Sequence, residues 1–187
     1  LKANPAAVEV ADSLVTLLER QSRFGEARDV LSQLEASPLL LSARRIRVAI
    51  GSGDFVHAID ELKLRIANDE QKRDVGSRVL LARLIYWQSH DLEAAMKFLA
   101  EAQAISGETM AIDSIRVEIV QAEAMRKEYD ARKLREANQV QQAIKLEEEA
   151  RKLTTEASQL LDAQVAKQKT FSAYLLRAAY LASVGKP

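Results

Sequence analysis

Arg44 and Arg47 stand three residues apart, a spacing that sets two guanidinium groups on one helix face, where they could hold an acidic side chain through charge-assisted hydrogen bonds. The plainer reading is a solvated face paired with local acids, because exposed charges contribute little by themselves. Trp87 is the only tryptophan; it could anchor a partner, as interface tryptophans do, or pack between adjacent helices. His57 and His90 are far apart and outside any His-x-x-x-His ligand spacing, so they read as turn or surface residues. The run Glu147-Glu148-Glu149 does not supply the enclosed pair of carboxylates that acid-base catalysis needs. Cysteine is absent, which removes disulfides and thiolate metal sites. No phosphate loop, nucleophile elbow or dinucleotide fingerprint occurs. The expectation is a chain without catalytic residues, cofactor or metal.

The elements that carry these groups follow a recurring phrase: Arg23-Phe24-Gly25-Glu26-Ala27, then Gly53-Asp54-Phe55-Val56-His57-Ala58, then His90-Asp91-Leu92-Glu93-Ala94-Ala95. Each copy sets an aromatic or leucine three residues before an alanine and opens a new run of apolar residues at helical spacing. Phe24, Phe55 and Leu92 lie 31 and 37 residues apart, a period of stacked helix-turn-helix units rather than of one core. The expected fold is all-α, an α-solenoid of antiparallel helix pairs.

Composition agrees with helices: aromatics make up 5% of the chain, and six glycines and three prolines are spread over 187 residues. Lys plus Arg and Asp plus Glu each total 27, so there is no net field to gather nucleic acid or acidic lipid. Single-stranded RNA recognition by a helical-pair repeat would need a basic groove that is not evident. No apolar run approaches the roughly 20 residues that cross a bilayer, and no signal-peptide pattern opens the chain. Leu1-Lys2-Ala3-Asn4-Pro5 reads as the end of one helix and the start of the next, and Gly185-Lys186-Pro187 stops where another should follow. Both suggest a piece of a longer array. The alanine-rich, cysteine-free composition suits a bacterial source, with cytoplasm and periplasm both open.

Asn4-Pro5 and Ser37-Pro38 each pair a capping residue with a proline suited to a first helical turn. Ala7, Ala11, Leu14, Val15 and Leu18 predict a helix ending near Gln21 and Ser22; Ala27, Val30, Leu31 and Leu34 predict its partner. Small Ala27 allows close approach, and Phe24 fills the space at the turn. Ser42, Ile46, Ala49 and Ile50, a Gly51-Ser52-Gly53 turn, an Asp54 cap, then Ala58, Ile59, Leu62 and Ile66 form the second pair. Val79, Ala82, Ile85 and Tyr86, an Asp91 cap, then Ala95, Phe98, Leu99 and Ala102 form the third, which ends at Ser106-Gly107. Residues 1–107 therefore hold three pairs, with a charged connector over 68–74.

Residues 108–187 read as a degenerate fourth unit, a long helical insertion and the first helix of a further unit. Ile112, Ile115, Ile119 and Val120 predict a helix ending near Lys127 to Asp130, with Tyr129 at the turn. Tyr174, Ala178 and Leu181 predict the last helix. About twenty residues remain beyond one unit, and Leu146, Leu153 and Leu160, with Ala150 and Ala157 between them, make a narrow coiled-coil-like seam. Over 130–169 two geometries fit: an antiparallel hairpin, favoured, with the weak helix formers Thr154-Thr155 at its tip, or one continuous helix with its turn near Lys169-Thr170. These long helices are also where copies of the chain could associate.

Phe24 with Ala27, Phe55 with Ala58, Leu92 with Ala95, Tyr174 with Ala178, and the boundary prolines Pro5 and Pro38 together resemble tetratricopeptide repeats. The resemblance covers Leu1 to about Ile105 and, in part, Phe171 to Pro187. Arg132 stands where alanine is expected, beside Ala131, and Val15 and Arg83 replace small residues at two helix crossings. The resemblance implies a right-handed superhelix whose first helices line a concave face that binds peptides or protein segments. On this chain that face would include Asp12, Thr16, Arg47, Leu80, Leu84, Trp87 and Gln121. Asp12, Thr16 and apolar residues occupy the places where one subtype grips a terminal carboxylate, so that subtype is not implied. The expected function is a scaffold or adaptor for a partner protein; a structural arm of a bacterial envelope secretion or exopolysaccharide assembly is the alternative.

Overall fold

The structure, a computed structural model, describes residues 5–34, 38–68 and 71–185. Among the described residues it is all-helical: α1 (Pro5–Arg20), α2 (Phe24–Ser32), α3 (Pro38–Gly51), α4 (Phe55–Ala67), α5 (Val75–Ser89), α6 (Leu92–Ser106), α7 (Met110–Glu136), α8 (Val140–Gln168) and α9 (Phe171–Ser183). α1 and α3 begin at the two expected prolines, while Asn4 and Ser37, expected as their caps, lie outside the described residues. Asp54 and Asp91 do cap α4 and α6, accepting from the backbone N–H of His57 and Ala94. Two compact halves, residues 1–88 and 89–187, make up the chain.

In the N-terminal half α1 packs on α2, α2 on α3 and α3 on α4. Val15, Leu18, Ala27, Leu31, Leu41 and Val48 form a buried cluster there. Phe24 reaches the end of α3 so closely that a Cβ added to Gly51 would stand 2.3 Å from its ring; only glycine lets the ring lie there. Arg65 pins three segments together, donating to Asp74 (2.8 Å), Ser77 (3.1 Å), Ser42 (2.9 Å) and Gln71 (3.0 Å). Asp74 also accepts from the Ser77 backbone N–H (2.9 Å), capping the start of α5. Burial works against the Asp74 carboxylate, but the hydrogen bonds from Ser77 and Arg65 outweigh it and hold its pKa below the usual value.

Among the described residues one turn design, with its buried alanine, occurs four times. Ser22, Gly53, His90 and Asn138 have left-handed φ of 57°, 77°, 55° and 62°, and each stands two residues before the apolar residue that opens the next helix: Phe24, Phe55, Leu92 and Val140. Three residues further on, Ala27, Ala58, Ala95 and Ala143 are each 0% exposed. A left-handed residue after a helix lets the next N–H reach back to a terminal carbonyl: Arg23 to Leu18 (2.9 Å), Asp54 to Ala49 (2.8 Å) and Gln139 to Leu134 (2.8 Å). The fourth copy was not foreseen. It corrects the expectation that the fourth first helix ends near Lys127 to Asp130: α7 runs on to Glu136, and Tyr129 sits within it.

In the C-terminal half α7 and α8, of 27 and 29 residues, form an antiparallel hairpin. Its tip is residues 137–139, not Thr154-Thr155, which lie inside α8 with hydroxyls donating to the carbonyls of Ala150 and Arg151. A hydroxyl that bonds back one turn satisfies itself within the helix, so neither threonine needs to end it. The turn at Lys169-Thr170 is real but separates α8 from α9, with Thr170 accepting from Ala173 N–H. Alanine, not leucine, forms the centre of the seam: Ala124, Ala131, Ala143, Ala150 and Ala157 are at most 3% exposed, whereas Leu146, Leu153 and Leu160 are half-buried at its edge. Alanine at every seventh position lets helix axes come to the near end of the usual interaxial range of about 8–10 Å. Val117, Val120, Leu161 and Tyr180 continue this core toward α9, and the Tyr180 hydroxyl donates to the Thr154 carbonyl (2.8 Å).

Candidate functional site

The first helices of the N-terminal half bring four of the sequence candidates together. α1 carries Asp12, Thr16 and Glu19 along one face at helical spacing, and α3 brings Arg44 and Arg47 against it. Arg44 grips Asp12 with two parallel bonds, Nε to Oδ1 at 2.5 Å and Nη2 to Oδ2 at 2.8 Å, and reaches Glu19 through Nη1 at 2.9 Å. This fork-on-carboxylate geometry is the strong, directional kind of ion pair. Hydrogen bonding from Arg44 is what chiefly holds the Asp12 carboxyl below its usual pKa, against the opposing effect of burial, and Asp12 raises Arg44 in turn. The acid that the arginine pair was expected to hold is therefore already present, supplied by α1. Thr16 spends its hydroxyl on the Asp12 carbonyl (2.8 Å).

Arg47 differs from its neighbour. Its contact with Glu19 is 3.4 Å long, and its side chain is 56% exposed. Beside it lies a shallow, widely open cleft of about 450 Å³ lined by Glu19, Arg20, Phe24, Arg47, Ile50 and Gly51. Phe24 and Ile50 give this cleft apolar surface, and the charged residues rim it. A second cavity, about 80 Å³ beside Arg45, Asp54 and His57, has room for little beyond water. Glu19 escaped the sequence reading. It lies seven residues after Asp12 on the same helix face, and that spacing was the available signal.

The remaining candidates lie elsewhere. Leu84 is 6% exposed and belongs to the interior, so its side chain is not offered to a ligand. Trp87 is half exposed and meets Tyr86 edge-on, with ring centroids 5.7 Å apart. Gln121 belongs to the C-terminal half, where its Nε2 donates to the Ser183 hydroxyl at 2.8 Å and ties α7 to α9. Among the described residues, no group of three or more His, Asp or Glu is placed to hold a metal ion, and no helix is long and apolar enough to cross a membrane.

Comparison with protein-family models, with curated proteins and with solved structures found no match.

Proposed function

We propose that this chain is a non-catalytic protein-interaction module: tetratricopeptide-like helix pairs stacked as a right-handed solenoid, holding an extended segment of a partner protein against the α1–α3 face. The observation that supports this most is the cleft between Phe24, Ile50 and Arg47 beside the locked Arg44–Asp12–Glu19 cluster. The cluster fixes one wall, so little side-chain entropy is lost when a ligand arrives. Arg47 and Arg20 rim an apolar floor, which suits a segment with an acidic residue next to a large apolar one. Such a peptide makes few contacts, and affinity on the order of 10 µM, about −7 kcal/mol, is expected.

The test is fluorescence anisotropy with a peptide library varied at an acidic position followed by Leu or Phe. Arg47→Glu should weaken the best binder at least tenfold while leaving the thermal midpoint unchanged. Trp87→Ala should do the same only if the segment extends to α5. A library without a binder, or a binder indifferent to Arg47→Glu, would sink the reading.

A further inference from the structure

α9 has no charged face. Of its 13 residues only Arg177 carries a charge, and that guanidinium turns back to Asp162 on α8, Nε to Oδ1 at 2.8 Å. A helix without a charged side belongs in an interior, yet α9 is covered on one side alone. Ala173 and Tyr180 are buried against the hairpin, while Phe171 is 81%, Leu175 58% and Tyr174 53% exposed. At about 3.6 residues per turn, Phe171, Leu175, Ala178 and Ala182 point away from the buried side, with Tyr174 at their edge. Ala178, Ala179 and Ala182 are exposed as well. The outward face is therefore graded by size, its large side chains in the first half of the helix and its small ones in the second.

We propose that this face binds a second copy of the chain, two α9 helices lying antiparallel about a two-fold axis level with the midpoint of Leu176 and Arg177 and perpendicular to the plane that holds both helices. The size order favours a copy over any other occupant. Such a rotation reverses the helix direction and keeps each flank on its own side, so position 171 comes level with 182, and 175 with 178. Phe171 then seats on Ala182 along the centre line and Tyr174 on Ala178 at one flank. At the other flank the two Leu175 side chains meet beside Ala178 and Ala179. Wedge and seat thus match twice over, the condition for an isologous interface. Residues beside a two-fold axis face their own copies, where a charge would repel itself; this face carries none. Alanine at the seats lets the axes approach to the near end of the usual range of about 8–10 Å. Phe24 uses the same device inside the chain, where it lies against Gly51. Every contact comes from α9, so the proposal does not depend on the α1–α3 cleft.

Size sets the expected strength. From Phe171 to Ala182 the face is roughly 16 Å long and one helix, roughly 10 Å, wide, well short of the roughly 800 Å² per partner of a standard interface. A weak dimer, half-formed at about 100 µM, is the consequence.

Sedimentation velocity across roughly 5 to 500 µM, which brackets that strength, provides the measurement. The unmodified chain should pass from monomer to dimer. Leu175→Glu, which sets two carboxylates together at the axis, should keep it monomeric with its far-UV circular dichroism intact. Phe171→Ala removes the wedge and Ala182→Phe fills the seat, and each should weaken the dimer about tenfold. Combined in one chain they exchange wedge and seat, so association should return to within about threefold of the unmodified chain. That return belongs to the antiparallel two-fold register and is independent of whether Leu175→Glu folds. A chain monomeric at every concentration, which would leave the face to a helix of another protein, would overturn the proposal. So would a dimer unmoved by Leu175→Glu, or a double variant no stronger than either single one.

Discussion

The two halves share one turn design but pack the helix after it in two different ways. In the N-terminal half the left-handed residue at Ser22 or Gly53 leads into short helices, an aromatic wedge seated on a glycine, and ion pairs that join α1 to α3 and α4 to α5. After Asn138 the same turn feeds a helix of 29 residues whose alanines recur every seven. The difference shows which feature carries the pairing. A buried alanine three residues past the turn is common to all four copies, while aromatic wedge and period both vary. Close approach at the turn makes the pair, and the side chains beyond it decide how far the two helices travel together.

The alanine seam is where this contrast meets its most severe trial. Ala150 is 0% exposed between two long helices, so Ala150→Leu forces the axes apart over several turns. A loss of about 3 kcal/mol is expected, at the upper end of overpacking costs, read as a fall in thermal midpoint; Leu153→Ala at the half-buried edge should cost less. An unchanged midpoint for Ala150→Leu would mean the helices are not closely packed. Gln164 probes the same seam with the opposite sign. It continues the heptad of Ala143, Ala150 and Ala157, is 4% exposed, and among the described residues neither its amide oxygen nor its nitrogen finds a partner. Since an unsatisfied buried polar group costs about 1–3 kcal/mol, Gln164→Leu should stabilise the chain by about 2 kcal/mol in urea unfolding.

Most of the chain up to the end of α6 could be read in advance because each signal was local. Asp54, Asp91 and the glycine-rich turn at 51–53 act on their immediate neighbours, and α1 to α6 end within a residue or two of where apolar spacing and caps put them. The hairpin tip failed for a physical reason. Helix propensity pointed to Thr154-Thr155, but both hydroxyls bond to carbonyls four residues earlier, and the seam continues through them. Asn138, Val140 and Ala143 did carry the turn signature, with valine where the other copies have a larger residue. The candidate face was only partly legible: spacing placed Arg44 and Arg47 together but could not show that α1 would bring Asp12 and Glu19 to occupy them.

Gly51 tests the wedge of the N-terminal half. Helix propensity alone favours Gly51→Ala by about 0.5–1 kcal/mol. The added Cβ, however, would fall 2.3 Å from Cε1 of Phe24, with two further ring atoms at 2.5 and 2.6 Å, so the ring must leave its seat. Net destabilisation of about 1 kcal/mol is expected, the balance of strain against propensity. In a Phe24→Leu background the same substitution should become neutral or favourable. A stabilising Gly51→Ala in the unmodified chain would show that Phe24 does not pack there.

Acid should separate the halves more gently. Asp12 and Asp74 both have folded pKa values held below the ordinary carboxylate value, Asp12 chiefly by its Arg44 bonds and Asp74 by Ser77 and Arg65 against its burial. A depressed folded pKa gives stability that is complete above the unfolded value, about 3.9, and is lost as pH falls below it. Glu147 and Glu149 are lowered in the same direction by Arg135 and Lys127, but they flank a hairpin whose seam is alanine. In the N-terminal half the ion pairs themselves join separate short helices. Trp87, the only tryptophan, lies in that half, so its fluorescence reports there while far-UV circular dichroism tracks the whole chain. On titration from neutral pH the fluorescence change should come first, with helical signal persisting to lower pH. Asp74, with 22% of its side chain exposed against 43% for Asp12, is the less screened of the two, and Asp74→Asn should remove more of the early transition than Asp12→Asn. Coincident transitions, or an early loss of helix, would mean that ion pairs matter equally in both halves.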